Sequence, residues 1–201
     1  MLKEFIQAQK YPPPKDLSEY TRSIVTAFDR CIDFLRDPKR FSNNKINAVT
    51  TLMWNLVRNR EIPVAIDQWS EFPSLSFIVL MNKKLEQTPA LIIPTDFLQQ
   101  INEDPVFQLG VISYMASQCR DFYCGKIAED NREVNARAQA FEAETLLTLQ
   151  EMATREQVVL SFGPLQHKYL ATFPNGLKSM PQGMNYATPV YIQPPTNPGN
   201  N

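Results

Sequence analysis

The sequence contains little of what most catalytic sites need. Among 201 residues there is one histidine, His167, and the six glycines are scattered singly. Histidine-assisted nucleophilic catalysis needs a correctly placed imidazole, and phosphate-binding loops need clustered glycines. Neither GxGxxG nor GxxxxGK[ST] occurs. We therefore expect no nucleotide and no other cofactor.

Charge and thiol content exclude further classes. The 20 Lys and Arg against 21 Asp and Glu leave no basic excess for nucleic acid or an anionic membrane. Three cysteines without a CxxC pair suit reduced thiols. The longest apolar runs fall far short of the roughly 20 residues of a membrane-spanning helix, and no signal peptide is readable at the start. We expect a cytoplasmic protein without nucleic-acid binding or membrane insertion.

Apolar residues make up 43% of the chain, enough for one packed core. Apolar side chains recur at helical spacing in five segments. These are residues 16–36, about 42–59, 96–101, 105–123 and 131–155. Short β-forming segments lie between them, and residues 75–81 and 90–93 predict an antiparallel pair because the intervening stretch is short and polar. The predicted fold class is α+β, a helix-rich single domain with a small antiparallel sheet.

Prolines mark both ends of the chain. Tyr-Pro-Pro-Pro at residues 11–14 predicts a stiff leader over residues 1–15 that separates the first ten residues from the domain at 16–171. Residues 172–201 hold six of the 16 prolines and one charged side chain, so we expect an extended or disordered tail. Within it Val190, Tyr191 and Ile192 form a β-capable triplet, a candidate for partner binding by strand addition.

The segment 110–123, Gly-Val-Ile-Ser-Tyr-Met-Ala-Ser-Gln-Cys-Arg-Asp-Phe-Tyr, resembles the active-site helix of zincin metallopeptidases. In that family an apolar run leads into HExxH. Tyr114 and Gln118 fall on the histidine positions and Met115 on the glutamate position. Glu142, in a segment resembling the following helix of the gluzincin branch, is the counterpart of the third ligand. The chain thus resembles, over roughly residues 60–155, a degenerate gluzincin-type domain that has lost its motif.

The substitutions at these positions decide the chemistry. Two imidazoles at i and i+4 bind zinc together with a carboxylate, and the glutamate activates the metal-bound water. Tyr114 and Gln118 are poor zinc ligands and Met115 cannot act as a base, so HExxH-type peptide hydrolysis is excluded and no metal is expected. Two interpretations stay open. These residues either fill a helix interface, hydrogen-bonded to each other or to Glu142, or mark a vestigial zincin site.

The predicted function is a non-enzymatic subunit that binds other proteins. We expect an adaptor or chaperone-like component of an intracellular bacterial assembly, such as a substrate adaptor of a secretion system. The alternative is an enzyme of unrecognised type, for example a metal-dependent hydrolase with non-standard ligands. In that case Glu142, Glu144, Asp121 or Tyr114 would serve as acid, base or ligand.

Overall fold

The structure is a computed structural model, and it describes residues 1–67, 75–81, 86–126 and 131–160. These residues form six α-helices and three β-strands. In chain order they are α1 (Leu2–Ala8), α2 (Leu17–Arg36), α3 (Asn44–Arg58), β1 (Val64–Asp67), β2 (Ser76–Met81), β3 (Gln87–Pro94), α4 (Phe97–Glu103), α5 (Pro105–Tyr123) and α6 (Asn131–Glu156). The helix-rich α+β class is confirmed. None of the helices in these ranges is both long and apolar enough to cross a membrane.

Side-chain caps fix the starts of three long helices. Asp16, Asn43 and Asp104 each accept a hydrogen bond from the backbone N–H three residues later, at 2.8, 3.2 and 3.0 Å. Each bond satisfies a donor that the first helical turn leaves without a partner. The predicted starts of α2, α3 and α5 are therefore confirmed. The N-cap of α4 is Asp96, which makes no side-chain cap bond.

The sheet has the strand order β1-β3-β2. Strand β2 pairs antiparallel with β3, with Ser76 opposite Ile92, which confirms the predicted pair. Strand β1 runs parallel to β3, with Val64 opposite Leu91, so the sheet is mixed and the antiparallel sheet predicted is corrected. The four residues of β1 are too few to carry a pattern that would reveal its direction.

Helix α1 packs on the body, and the predicted separation of the first ten residues is wrong. Leu2 and Phe5 are buried in the main hydrophobic core, and the Phe5 ring lies 4.4 Å from the Phe34 ring of α2, centroid to centroid. The Glu156 carboxylate at the end of α6 accepts hydrogen bonds from the backbone N–H groups of Leu2 and Lys3, at 3.0 and 3.2 Å. A seven-residue helix is unstable alone, so these contacts hold α1 in place.

Helix α5 is the centre of the molecule. It packs against α2, α3, α4, α6 and β2. Its apolar residues cover most of its circumference, as a helix surrounded by other elements requires. The stripe predicted on α6 is buried along its full length. It comprises Val134, Ala138, Phe141, Thr145, Leu149 and Met152.

Candidate functional site

The zincin-like positions lie where α5 and α6 approach most closely. Gly110 permits that approach, because a Cβ atom there would lie 3.3 Å from Cδ2 of Leu146 and 3.4 Å from Cγ of Glu142. Glu142 of α6 is buried. Its side chain lies against Gly110 of α5, which precedes Tyr114 by one helical turn. Two of the residues proposed from the zincin resemblance, Tyr114 and Glu142, are therefore neighbours.

Tyr114 and Gln118 form a small polar cluster with Asn135 of α6. The Tyr114 hydroxyl donates to Oδ1 of Asn135 at 3.1 Å, and Nε2 of Gln118 lies 3.4 Å from that hydroxyl. Burial raises the pKa of Tyr114, and the nearby Glu142 carboxylate raises it further. The phenol is consequently a hydrogen-bond donor at neutral pH and neither a base nor an anionic ligand. A hydrogen bond between Tyr114 and Gln118, one of the arrangements left open by the sequence, is therefore present.

Met115, the position aligned with the catalytic glutamate, packs in the hydrophobic core. It faces other apolar side chains, as expected for an uncharged residue on a buried helix. Asn135 was not predicted from the sequence as a member of this cluster. Asn135 precedes Glu142 by seven residues, or two helical turns, so the two side chains share a face of α6. That spacing could have identified Asn135 as a candidate.

A second buried polar group lies one turn beyond the zincin-like positions. The carboxylate of Asp121 is fully buried. Its Oδ1 accepts from Nε and Nη2 of Arg120 at 2.9 and 2.7 Å, and its Oδ2 accepts from Nε of Arg137 at 2.7 Å. The Arg120 guanidinium also lies 4.7 Å from the centre of the Phe141 ring. Asp121 thus joins α5 to α6 as a charged packing element.

The charged residues of α6 differ in their exposure and in their partners. Glu133 and Glu151 are exposed and form i,i+4 pairs with Arg137 and Arg155, as a solvated face would. Glu142, by contrast, is buried. Glu144 accepts from Nζ of Lys45 at 2.7 Å and from Nδ2 of Asn43 at 3.1 Å, which ties α6 to the start of α3.

The described residues offer few groups for metal binding or thiol chemistry. Within the described ranges no three His, Cys, Asp or Glu side chains are grouped so as to hold a metal ion. Of the three cysteines, Cys31 and Cys119 are buried and Cys124 is exposed. Burial raises the pKa of Cys119 to about 12, so that thiol is not a nucleophile at neutral pH.

A surface that sequence reasoning missed lies around residues 11–14. The backbone of Tyr11 is held in both directions by Asn102 of α4, which accepts from its N–H at 2.8 Å and donates to its carbonyl at 3.0 Å. Nη1 of Arg30 donates to the Ala8 carbonyl at 2.9 Å, and its guanidinium lies 5.6 Å from the centre of the Tyr11 ring. These contacts fix the direction in which the three prolines leave α1.

The fixed prolines form one wall of an open groove of about 600 Å³. The groove is also lined by Asp96, the N-cap of α4, by Glu103 at the end of α4, and by Tyr20 of α2. Burial and the neighbouring Asp96 carboxylate raise the pKa of Tyr20. We call this feature the proline groove. Pro12 and Pro13, on its rim, are exposed.

Three predicted features lie outside the described residues. They are His167, the triplet Val190, Tyr191 and Ile192, and the tail boundary at residue 172. The resemblance to zincins stays a prediction. No protein-family model, no curated protein and no solved structure matches this chain.

Proposed function

We propose that this chain is a non-enzymatic subunit of a cytoplasmic assembly that works by binding another protein, as an adaptor or chaperone-like component. The observation that carries the proposal is the clamped proline segment. Both backbone polar groups of Tyr11 bond to a single side chain, Asn102, across 91 positions of sequence. An extended segment does not need such anchoring in order to fold locally, whereas a segment presented to a partner gains from being ordered before binding.

The zincin-like cluster supports the same proposal. The side chains of Tyr114, Gln118 and Asn135 hydrogen-bond to one another within the α5–α6 contact. Asp121 is likewise engaged by two arginines. Groups that satisfy each other in a packed interface stabilise the fold. They would have to break these bonds in order to act on a substrate.

Affinity purification from the native cell tests the proposal. The full-length chain should retain a defined partner at near-stoichiometric amounts. Asn102→Ala, which frees the Tyr11 backbone, should reduce the recovered partner several-fold. The matched control is Asn55→Ala, at an exposed position on α3, which should retain the partner. A chain ending at residue 171 separates the contribution of the tail from that of the groove.

Two results would overturn the proposal. One is the absence of any specific partner with the full-length chain under conditions that preserve its fold. The other is stoichiometric, tightly bound zinc in the purified protein together with an activity that Glu142→Ala abolishes. That second result would support the alternative, a metal-dependent hydrolase with non-standard ligands.

A further inference from the structure

The proline groove has a charge pattern that specifies its occupant. Two carboxylates, Asp96 and Glu103, line it, and among the described residues no lysine or arginine does. Each carboxylate accepts one hydrogen bond from a neutral glutamine amide on its own helix, at 2.8 and 2.9 Å. Neither forms an ion pair with a cation in the described part of the chain. The groove is therefore complementary to positive charge.

The apolar part of the groove suits an extended segment. Pro12 and Pro13 are exposed along the groove, and Tyr20 lines it together with Asp96. Tyrosine and proline surfaces bind polyproline-II segments with little ordering cost, because such segments are extended before they bind. A tyrosine next to a carboxylate also suits a lysine or arginine, through combined cation–π and ionic attraction. The chain itself places the Arg30 guanidinium over Tyr11.

The spacing of the two carboxylates narrows the partner further. Asp96, the N-cap of α4, and Glu103, its last residue, are seven positions apart, which is about 10.5 Å by the 1.5 Å rise of a helix and nearly on one face. A polyproline-II segment repeats every three residues, so its side chains at i and i+3 lie on one side about 9 Å apart. Two cations three residues apart therefore match Asp96 and Glu103.

We propose that the proline groove binds an extended, proline-containing segment of a partner protein that carries lysine or arginine at positions i and i+3. This inference rests on the proposed function, because it names the partner class of the surface on which that function depends. The cations pair with Asp96 and Glu103, and the intervening prolines pack on Tyr20 and on the rings of Pro12 and Pro13.

A defined peptide tests this proposal. The probe is fluorescein-labelled Lys-Pro-Pro-Lys-Pro-Pro-Lys, and its binding to the full-length protein is followed by fluorescence anisotropy. Two peptides serve as controls: the same composition with the lysines adjacent, and the same order with glutamate replacing lysine. We expect saturable binding of the probe, weaker binding of the adjacent-lysine peptide and none of the glutamate peptide. Binding should weaken as salt is raised.

Variants then locate the site. The double substitution Asp96→Asn with Glu103→Gln should weaken binding by about tenfold, since two partly exposed ion pairs are lost. Its side-chain shapes are retained, and Asp96 makes no cap bond to the backbone of α4, so the fold should persist by circular dichroism. The control Glu133→Gln with Glu151→Gln makes the same change of net charge at exposed positions of α6 and should leave binding unchanged.

Three results would overturn the inference. The full-length protein does not bind the probe, it binds the adjacent-lysine peptide equally well, or the α6 control loses as much affinity as the groove variant. Purification from the native cell separates this from the proposed function. A partner that the groove variant retains in full overturns the inference and leaves the proposed function intact. The absence of any partner for the unaltered chain overturns the proposed function, and a bound probe would not rescue it.

Discussion

Replacing Asp121 with asparagine should lower the free energy of unfolding by about 2–3 kcal/mol. The carboxylate is fully buried and holds Arg120 through Oδ1 and Arg137 through Oδ2. Asparagine keeps the shape but offers one acceptor, and its amide N–H group faces the N–H donors of one arginine. Breaking a fully buried ion pair costs about 3–5 kcal/mol. The two arginine side chains are 26% and 29% exposed, so water recovers part of that cost.

The assay is urea unfolding at pH 7 followed by far-UV circular dichroism, with a thermal scan as the second measurement. For a domain of this size the loss corresponds to a fall in Tm of about 5–10 °C. The matched control is Asp33→Asn. Oδ1 of Asp33 lies 2.8 Å from Nε of Arg36 in a partly exposed i,i+3 pair on α2, and its loss should cost under about 0.5 kcal/mol.

A double substitution measures the coupling between Asp121 and Arg137. With Asp121→Asn in place, Arg137→Gln should cost less than it does in the parent chain, because the buried carboxylate partner of Arg137 is already gone and only the exposed Glu133 remains beside it. The reasoning is refuted if Asp121→Asn is no more destabilising than Asp33→Asn. Loss of a catalytic activity at unchanged stability would refute it too, and would favour the enzyme alternative.

Three further expectations concern the same helices. Tyr114→Phe should lower the free energy of unfolding in urea by about 1 kcal/mol, because Asn135 loses its shortest hydrogen bond from a donor. The control Tyr123→Phe, at an exposed tyrosine, should leave that free energy unchanged. Equal losses would contradict the buried cluster. Cys124 should react with a thiol reagent at once in the folded protein and the two buried cysteines only on unfolding; three fast thiols would contradict their burial. At Glu144 burial alone would raise the pKa, but hydrogen bonds from Lys45 and Asn43 outweigh it and lower the pKa below the ordinary 4.5. Its contribution, about 0.5 kcal/mol, is therefore complete above that value and lost as the pH falls through the folded-state pKa. The stability difference between the parent chain and Glu144→Gln should accordingly vanish on acidification; a difference that persists at pH 2 would contradict the assignment.

The features that sequence predicts best in this chain are those decided within one or two turns. Asp16, Asn43 and Asp104 cap helices because each bonds to a backbone group three residues away. The buried stripe of α6 follows from helical periodicity in the same way. Such interactions depend on neighbours in sequence, so local spacing is enough to find them.

The features that sequence did not predict depend on which distant segments meet. The short α1 has two apolar anchors, Leu2 and Phe5, which a local pattern cannot assign to any surface. The Asn102 clamp on Tyr11 joins residues 91 positions apart, and an exposed asparagine on a short helix carries no distinguishing pattern. The proline groove forms because α1 packs on the core and because Asn102 holds the backbone of Tyr11. Its charge could be read from the sequence of α4, but its walls could not.

The α5–α6 contact shows where sequence reasoning could have gone further. The second half of α5 is buried yet contains Tyr114, Gln118 and Asp121, and buried polar groups need partners. Helix α6 carries Asn135 and Arg137 near its start, while Gly110, near the start of α5, faces Glu142 in the middle of α6. The need to satisfy these buried groups therefore identifies α6 as the partner of α5. The direction comes from the approach of Gly110 to Glu142, because Gln118, two turns further along α5, meets Asn135, two turns earlier on α6, so the two helices run antiparallel. Sequence shows that the groups need partners, whereas the close approach at Gly110 is visible only in the folded chain.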